Sequence, residues 1–380
     1  MKTLFWFSFA AIIYTYFGYP VLLLIVSSIF QKPIKKRIQQ PFVSIIISAF
    51  NEEKAIEKKL LNLLNLNYPE DKIEILVGSD GGSDQTDEIV SRFHSTRIRF
   101  FKFIRNFGKA AVLNALVNEA KGDVLVFTDS RQDFDREAIG ALVKNFEDPK
   151  VGCVSGELYF KKSENSTSGI SEGMDSYWRY EKWLRKKESQ LNSMLGATGA
   201  IYAIRKHLFP ARLPSDVLVD DMYIPFEIIK KGYRAVFDSD ACAFDVPSEK
   251  GEQELKRKGR TLAGNYQIFS YFPDLFNPFT SPVAWQLFSH KLMRLIVPLF
   301  LITLFISNLF ILWQPVYMIF FIGQILFYGL AFFELKRAAL GKKGPGYIPY
   351  TFCLLNYSAI VGLFQFLKGK QKANWEKAYI

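Results

Sequence analysis

Short apolar runs that end in carboxylates are the feature that most constrains how this chain can fold. The runs at 43–48, 73–78 and 124–128 are rich in valine, isoleucine and leucine, and helix-forming segments separate them. This alternation predicts parallel strands joined by crossover helices in an α/β domain. Asp80 and Asp129 follow the second and third runs. Because ligands of such sheets bind at the carboxyl ends of the strands, these two carboxylates predict a nucleotide site.

Three long stretches without charge predict membrane segments. Residues 3–31 exceed the ~20 residues that span a bilayer, and the competing interpretation is a cleaved signal peptide, whose apolar core is shorter. Residues 295–333 contain Pro315, which favours two helices joined by a turn. Residues 347–367 form a third apolar run, interrupted by a proline, an asparagine and a glutamine. This last segment either spans the membrane or is re-entrant.

The basic residues are placed where a membrane protein needs them. The net charge is +11, from 48 basic and 37 acidic residues. Much of the excess flanks the apolar runs, at Lys32, Lys35, Lys36, Arg37, Lys336, Arg337, Lys342 and Lys343. Positive flanks face the cytoplasm, so residues 32–290 are predicted to lie inside the cell. The basic tail 368–377 fits this topology only if the last segment is re-entrant or interfacial. Membrane flanks explain the charge more simply than nucleic acid does.

The cysteines and histidines predict no disulfide framework and no zinc site, because the three residues of each type are far apart.

The predicted organisation has five parts: a transmembrane helix at 1–31, a cytoplasmic α/β domain at 41–260, an interfacial segment at 261–290, two transmembrane helices at 291–335 and a third membrane segment at 347–367. Local patterns predict helices at 51–65 with Asn51 as N-cap, 84–93, 109–119 and 174–194, a strand at 151–160 and an exposed loop at 161–171. The helix at 174–194 suits a membrane surface, a ligand groove or an ordinary core-facing position.

Two motifs follow the first two predicted strands in order. They are Ser48-Ala-Phe-Asn-Glu-Glu53 and Ser79-Asp80-Gly-Gly-Ser-Asp84. They resemble the P-x-Y-N-E and D-D-G-S-x-D motifs of the membrane-embedded family 2 glycosyltransferases, the branch that includes cellulose, chitin and hyaluronan synthases. The resemblance covers nearly the whole chain. It implies a nucleotide-diphospho-sugar transferase domain of the GT-A type, which is Rossmann-like, together with transmembrane helices.

The resemblance assigns a donor site to the first half of the domain. It implies that Asp80 accepts the imide N–H of uracil in a UDP-sugar and that the first loop, with Ser48, Phe50 and Glu52, packs against the base. Arg105-Asn-Phe-Gly-Lys109 resembles the N-x-G-K element, whose lysine approaches the sugar diphosphate. A solvated lysine at a helix start is the alternative interpretation of Lys109.

The family's D-x-D position differs in this chain. Thr128-Asp129-Ser-Arg131 stands there, so an arginine replaces the carboxylate that normally holds Mg²⁺ or Mn²⁺. Either Asp129 holds the cation with Asp133 or Asp135, or Arg131 supplies part of the charge on the diphosphate. We expect that a metal ion is still used, because the departing UDP needs its new charge neutralised.

Two further motifs concern the acceptor. Asp220 and Asp221 match the family's E-D pair, whose second carboxylate is the general base of an inverting transfer. Asp220 is also a candidate helix N-cap. Gly196-Ala-Thr-Gly-Ala200 resembles the glycine-bearing loop near the acceptor and makes Gly196, Thr198 and Gly199 acceptor-binding candidates, although a plain turn explains the glycines equally well.

The last motif bears on chain elongation. Arg257-Lys-Gly-Arg260-Thr261 stands where processive members carry Q-x-x-R-W. Arg260 matches the arginine that contacts the diphosphate in the family. Arg257 replaces the glutamine, and both arginines are donor-binding candidates. Thr261 replaces the tryptophan that stacks on the acceptor sugar, which argues against the synthesis of long polymers.

The resemblance implies an inverting glycosyltransferase of the cytoplasmic membrane. It would move a sugar from a UDP-sugar to a saccharide hydroxyl with a β-linkage, in exopolysaccharide or cell-envelope glycan synthesis. A non-processive transferase to a lipid-linked acceptor and a catalytically inactive scaffold are the alternatives. The expected partners are the UDP-sugar, a saccharide or lipid-linked acceptor and membrane lipids, without nucleic acid. No residue specifies the sugar, the acceptor or the linkage position.

Overall fold

Eight strands form one mixed sheet in a computed structural model that describes residues 1–161, 169–246, 251–339, 344 and 346–369. The strands are β1 (Val43–Ala49), β2 (Ile73–Asp80), β3 (Ile98–Phe103), β4 (Val124–Thr128), β5 (Asp133–Phe134), β6 (Val151–Phe160), β7 (Tyr202–Arg205) and β8 (Arg234–Asp245). Their order across the sheet is β3-β2-β1-β4-β7-β6-β8-β5.

The parallel part of the sheet agrees with the α/β prediction. β3, β2, β1 and β4 are parallel neighbours, with Val43 beside both Ile73 and Val124. β7 then runs antiparallel to β4 and to β6, so the sheet is mixed rather than purely parallel. The sequence pattern did not show this, because β7 has only four residues between a loop and a 3₁₀ turn.

The helices are α1 (Lys2–Ile13), α2 (Tyr19–Ile29), α3 (Ile56–Leu64), α4 (Thr86–Ser91), α5 (Lys109–Glu119), α6 (Ala138–Val143), α7 (Gly169–Leu191), α8 (Asp220–Lys230), α9 (Gly251–Tyr271), α10 (Ala284–Gln286), α11 (Met293–Leu309), α12 (Pro315–Ala339) and α13 (Tyr347–Leu367). Short π-helical segments lie at Tyr14–Gly18 and Leu287–Leu292, and 3₁₀ turns at Glu70–Lys72, Lys144–Glu147, Lys206–Leu208 and Pro273–Phe276.

Several predicted boundaries moved for identifiable reasons. The helix predicted from Asn51 begins at Ile56, because Asn51 has a positive φ of 56° and its side-chain oxygen accepts the Ser83 N–H at 2.7 Å instead of capping a helix. Residues 262–271, predicted as interfacial chain, continue α9. The predicted loop at 161–171 lies mostly outside the described residues, and so does the basic tail. The helix at 109–119 and the strand at 151–160 are present as predicted.

The chain divides into two compact units. The helical unit contains the described residues of 1–30, 162–187 and 248–370, and the sheet unit contains those of 31–161 and 188–247. The core of the sheet unit is formed by fully buried β-branched side chains such as Ile45, Ile47 and Val126. Lys36, predicted as a membrane flank, is ion-paired with Asp238 of the sheet unit at 2.9 Å.

The helical unit has the features of a membrane protein. Within the described part of the chain, four helical stretches are long and apolar enough to cross a membrane, at 2–29, 284–309, 315–337 and 347–367. The first packs against the later ones, with Phe5 fully buried, Trp6 Nε1 donating to the Tyr317 hydroxyl at 3.1 Å and the Tyr14 and Ser289 hydroxyls 2.6 Å apart. The stretch at 3–31 is therefore mostly helical with a one-turn π segment at Tyr14–Gly18, the stretch at 295–333 consists of two helices joined by a turn as predicted, and the stretch at 347–367 is the single helix α13.

A buried ionic group lies inside the helical unit. Glu181 of α7 contacts Arg294 of α11, and His290 Nε2 is 3.4 Å from the second Glu181 oxygen. The Arg294 guanidinium also lies over the Tyr180 ring, and the Tyr180 hydroxyl donates to the Tyr16 carbonyl. Because an unpaired charge in an apolar interior is costly, this pairing ties α7 to the apolar helices.

Candidate active site

A lysine surrounded by carboxylates lies at the ends of the central strands of the sheet unit. Lys109, the first residue of α5, places its Nζ 3.1 Å from Asp129 Oδ1 and 3.1 Å from Asp220 Oδ1. Asp129 follows β4, and its side chain is one-third exposed, whereas that of Asp220 is 12% exposed. Lys109 is therefore not a solvated surface lysine. Its ammonium group joins two carboxylates that are 91 positions apart in sequence, from 129 to 220.

Three carboxylates act on the Lys109 ammonium group. Burial alone would lower the pKa of Lys109, but the nearby carboxylates of Asp129, Asp220 and Asp221 together raise it above its usual range. Lys109 therefore stays protonated at every physiological pH. A divalent cation beside these carboxylates would favour the binding of an anionic diphosphate.

Asp80 holds the loop that precedes Lys109. It is fully buried, and its two oxygens accept the backbone N–H groups of Phe107 and Gly108 at 2.8 Å each. Burial raises the pKa of Asp80, and these two hydrogen bonds oppose the rise. Gly81, with φ of 66°, lies so close to the Arg105 backbone that a Cβ atom would be 2.3 Å from its carbonyl carbon. The carboxylate predicted to meet uracil thus anchors this loop, and its contact with a base stays a prediction.

The first two motif loops are joined by hydrogen bonds. The Glu53 N–H donates to Asp84 Oδ2 at 3.1 Å, and the Glu52 N–H donates to Thr86 Oγ1 at 2.8 Å. Ser48 is buried at the end of β1, and Phe50 is half-buried. The structure therefore brings the two motif loops together at one edge of the sheet, as the resemblance implies.

The glycine loop holds the predicted general base. The Gly199 N–H donates to Asp221 Oδ2 at 3.1 Å, and the Ala197 N–H donates to the Asp221 carbonyl at 2.7 Å. A Cβ atom on Gly199 would lie 3.3 Å from Asp221 Oδ2 and 3.8 Å from Asp129 Oδ2. The carboxylates of Asp129 and Asp221 therefore both lie within 4 Å of the position that a Cβ atom on Gly199 would occupy.

The same loop has two other anchors. Gly196 has φ of 101°, and a Cβ atom there would be 2.8 Å from Met222. The Thr198 N–H donates to the Ser155 hydroxyl at 3.0 Å. Asp220 is the first residue of α8, whose N-cap is Val219, so Asp220 is not the cap that the sequence suggested. Both acidic residues lie in the first turn, where the helix dipole favours negative charge.

Sequence reasoning missed two residues beside this group. Tyr202 is fully buried, stacks on Phe127 and places its hydroxyl 3.4 Å from Asp220 Oδ2. Its burial and the Asp220 charge raise its pKa well above the usual value. Lys59 is buried below the turn that carries Asp129. The position of Lys59 among Ile56, Leu60 and Leu63 on one face of α3 was the signal that could have found it.

The carboxylates proposed to help Asp129 hold a metal ion have other partners. Asp133 Oδ2 is 2.6 Å from Lys58 Nζ and 2.9 Å from Lys161 Nζ, and Asp135 accepts the Glu137 N–H. Among the residues that the structure describes, no three His, Cys, Asp or Glu side chains are grouped to hold a metal. Asp129 still fits a Mg²⁺ or Mn²⁺ ion, because such ions are commonly held by one or two carboxylates and by the substrate phosphates.

Arg257 and Arg260 belong to α9 in the helical unit. The Arg260 side chain is partly buried, whereas at Arg257 the structure describes only the helical backbone. Their predicted role at the diphosphate stays a prediction.

Comparisons with known proteins agree with this geometry. Residues 44–211, which include both motif loops, Lys109, Asp129 and the glycine loop, match the family model described as Glycosyl transferase family 2. Over these residues the chain matches a family 2 glycosyltransferase domain. The domain includes β1 to β7 and ends before α8, so Asp220 and Asp221 lie just beyond the matched residues.

Two curated relatives extend the similarity. The "Probable glycosyltransferase YdaM" of Bacillus subtilis (strain 168) is 26% identical over 265 residues, which are 65% of this chain and 61% of the relative. The "Poly-beta-1,6-N-acetyl-D-glucosamine synthase" of Staphylococcus aureus (strain COL) is 24% identical over 232 residues, which are 60% of this chain and 55% of the relative. The match thus spans only about three-fifths of each relative's length.

A solved structure shares the fold across almost the full length. The mannosyltransferase PcManGT from Pyrobaculum calidifontis, in complex with GDP-Man and Mn²⁺, aligns with a TM-score of 0.75 at 23% sequence identity. The alignment covers 97% of this chain and all of the other chain. The predicted GT-A type fold with added helices is confirmed.

Proposed function

We propose that this protein is an inverting glycosyltransferase that moves a sugar from a UDP-sugar to an acceptor hydroxyl, with Asp221 as the general base. The observation that carries the proposal is the position of Asp221, whose carboxylate and that of Asp129 both lie within 4 Å of the Cβ position of Gly199 and both act on the Lys109 charge. An inverting transfer needs one base near the donor diphosphate and on the acceptor side, and this arrangement supports such a placement.

The residues of this chain divide the work of the reaction. Asp221 would take the proton of the acceptor hydroxyl as the oxygen attacks the anomeric carbon, while the bond to the diphosphate breaks on the opposite face. The Gly199 N–H orients the Asp221 carboxylate. Lys109 would offset charge on the departing diphosphate, and the Asp80 carboxylate fixes the loop from which Lys109 extends.

A divalent cation would be held by Asp129 together with oxygens of the diphosphate. When bound, it would neutralise the charge that develops on the leaving group. The excess of carboxylates around Lys109 supports this proposal, because a divalent ion offsets the repulsion that they exert on a diphosphate. The fold neighbour that was solved with Mn²⁺ is consistent with it.

The acceptor class has two candidates. A relative is named for the synthesis of poly-beta-1,6-N-acetyl-D-glucosamine, which favours a saccharide acceptor and a β-linked product. Thr261, at the position where processive enzymes carry tryptophan, favours a single transfer to a lipid-linked acceptor. We place the sheet unit on the cytoplasmic side of the cell membrane, where nucleotide sugars are made, and the four apolar stretches support a multi-pass protein.

The test is nucleotide release by the purified protein in detergent with membrane lipid. UDP-GlcNAc, UDP-Glc, UDP-GlcA, UDP-Gal and GDP-Man are supplied one at a time, with Mn²⁺ or with excess EDTA, and the products are sized. We expect release from one UDP-sugar that requires the divalent cation and is lost in Asp221→Asn. Full turnover in excess EDTA would refute the requirement for a divalent cation. Nucleotide release from GDP-Man alone would refute the assignment of a UDP-sugar as the donor.

Product size separates the two acceptor classes. A series of products that differ by one sugar indicates a polymer synthase. A single product that is extracted with the lipid indicates the non-processive enzyme. UDP binding without any turnover, after lipid is added back, would favour the inactive scaffold.

A further inference from the structure

Lys59 is a charged residue at the centre of an apolar helix face. It lies in α3 with a relative exposure of 1%, while its neighbour Lys58 points outward with 71% of its side chain exposed. Ile56 and Leu60, on the same face as Lys59, are fully buried. A lysine is almost never fully buried unless its charge is used, so the burial of Lys59 requires an explanation.

The ammonium group of Lys59 is fully engaged by the turn that follows β4. It donates to Thr128 Oγ1 at 2.9 Å and to the Gln132 carbonyl at 2.6 Å, and it lies 3.9 Å from the centre of the Phe134 ring. Asn62, one helical turn later, binds both the N–H and the carbonyl of Phe134. α3 thus holds both ends of the segment that carries Asp129 and Arg131.

The contact continues from this turn to the glycine loop. The Thr128 hydroxyl accepts from Lys59 and donates to the Ala200 carbonyl at 2.9 Å. Ala200 follows Gly199, whose N–H orients the Asp221 carboxylate. One buried ammonium group therefore contacts the donor turn directly and the acceptor loop through a single hydroxyl.

The largest charge effects on Lys59 come from three carboxylates. They are Asp129 and Asp133 on the turn and Asp245 at the end of β8, where Asp245 also accepts from the Gln132 side chain at 2.8 Å. Burial lowers the pKa of Lys59 to about 7, and these three carboxylates oppose the fall. Its charge is therefore sensitive to pH in the neutral range.

We propose that Lys59 is a positioning residue for the transfer: its buried ammonium group fixes the Asp129 turn and the Asp221-bearing site in one arrangement and supplies positive charge from behind the donor turn. The inference rests on the proposed function for its catalytic consequence. Its structural part, the coupling of residues 128–134 to residues 196–201, is independent of turnover.

Lys59→Met is the decisive variant, since methionine fills the volume without the charge. Lys58→Met is the matched control on the same helix, and Thr128→Val removes the linking hydroxyl while Lys59 remains. Hydrogen–deuterium exchange is measured for residues 128–134 and 196–201 in all four proteins. We expect faster exchange in both segments for Lys59→Met, faster exchange in 196–201 for Thr128→Val, and wild-type exchange in 196–201 for Lys58→Met.

The pH dependence of the activity is a second readout, because loosened packing alone would not change it. We expect Lys59→Met to lower kcat/KM for the donor about tenfold or more, since small misplacements of reacting groups are costly. The ratio of wild-type to Lys59→Met activity should narrow between about pH 6 and about pH 8.5, because the wild-type charge is lost over that range. A ratio that is constant with pH would overturn the proposed role of the charge.

The two proposals can fail separately. If the wild-type protein transfers no sugar, the proposed function fails, and the exchange measurement still decides the role of Lys59. If exchange in 196–201 is the same in Thr128→Val, Lys59→Met and Lys58→Met, Lys59 does not couple the two segments and the inference is wrong. Should Lys59→Met not fold, Lys59→Gln, which keeps a hydrogen-bond donor but not the charge, takes its place in the same measurement.

Discussion

Each of the two units places cations against carboxylates, but the charge balance differs between them. In the helical unit, Glu181 faces the cations of Arg294 and, when protonated, His290, so no negative charge is left over. In the sheet unit, Lys109 faces the three carboxylates of Asp129, Asp220 and Asp221, and Lys59 acts on Asp129 from the buried side. The first group is closed by tyrosine rings, whereas Asp129 in the second is one-third exposed.

This difference separates a group that stabilises from a group that reacts. A balanced and buried pair gains little from any further ligand, and its loss would mainly weaken the packing of α7 on α11. An excess of carboxylates beside an open volume can accept a proton or a cation from outside. The comparison therefore predicts losses of activity in the sheet unit and losses of stability in the helical unit.

The largest effect is expected from Asp221→Asn. The amide keeps the shape of the side chain but cannot take a proton, so transfer should fall by about 10² to 10⁴-fold while UDP binding persists. The measurements are initial rates of nucleotide release and UDP affinity by calorimetry. Asp71→Asn, on the surface, is the control. Appreciable retained transfer would remove Asp221 as the base and break the comparison.

Lys109→Met should follow in size. It leaves three carboxylates without their ammonium group, so the diphosphate meets uncompensated negative charge and kcat/KM for the donor should fall about 10²-fold. Lys102→Met, an exposed lysine paired with Asp87, serves as the control for loss of a lysine charge. Equal values of kcat/KM for the donor in the two variants would show that the Lys109 charge does not assist the diphosphate.

Glu181→Gln tests the other side of the comparison. The change leaves Arg294 buried without a counter-charge, which costs about 3 kcal/mol of stability. Thermal unfolding in detergent is the measurement, and Glu57→Gln on the surface of α3 is the control. An unchanged melting temperature in Glu181→Gln would mean that the pair does not hold the helical unit together.

The smallest effect is expected from Gly199→Ala. The added Cβ atom would lie 3.3 Å from Asp221 Oδ2, so the carboxylate must shift by a few tenths of an ångström. We expect kcat to fall by about threefold to tenfold with little change in donor KM. Gly140→Ala is the matched control, because nothing lies within 4 Å of a Cβ atom there. A kcat equal to that of the control would place the reacting volume away from Gly199.

Much of the sheet unit could be predicted because several of its strands consist of continuous apolar runs in the sequence. β1, β2 and β4 coincide closely with the runs at 43–48, 73–78 and 124–128, and α5 has the predicted bounds. Each buried strand needs apolar residues on both faces, so its pattern does not depend on distant contacts. The position of Asp129 at the carboxyl end of its strand could be predicted in the same way, whereas its meeting with Asp220 through Lys109 could not.

The remainder depended on contacts between residues that are distant in sequence. Asn51 has the character of a helix cap, but its amide oxygen accepts the Ser83 N–H. Lys58 and Lys59 are adjacent lysines in the same stretch of sequence, and only the tertiary fold shows that Lys58 is solvated and Lys59 is buried. Asp133 was a reasonable prediction for a metal ligand, but its carboxylate is paired with Lys161, the residue that follows β6.

The packing of α1 against the last part of the chain has a consequence for biogenesis. Tyr14 meets Ser289 across a sequence separation of 275 residues, and Trp6 meets Tyr317 across 311. During translation the first helix would therefore enter the bilayer without its partners while the whole sheet unit is synthesised. In the proposed multi-pass protein, insertion of α11, α12 and α13 is then the step that completes the membrane-embedded part, and a ribosome that stalls before residue 284 would leave the sheet unit tethered by the first helix alone.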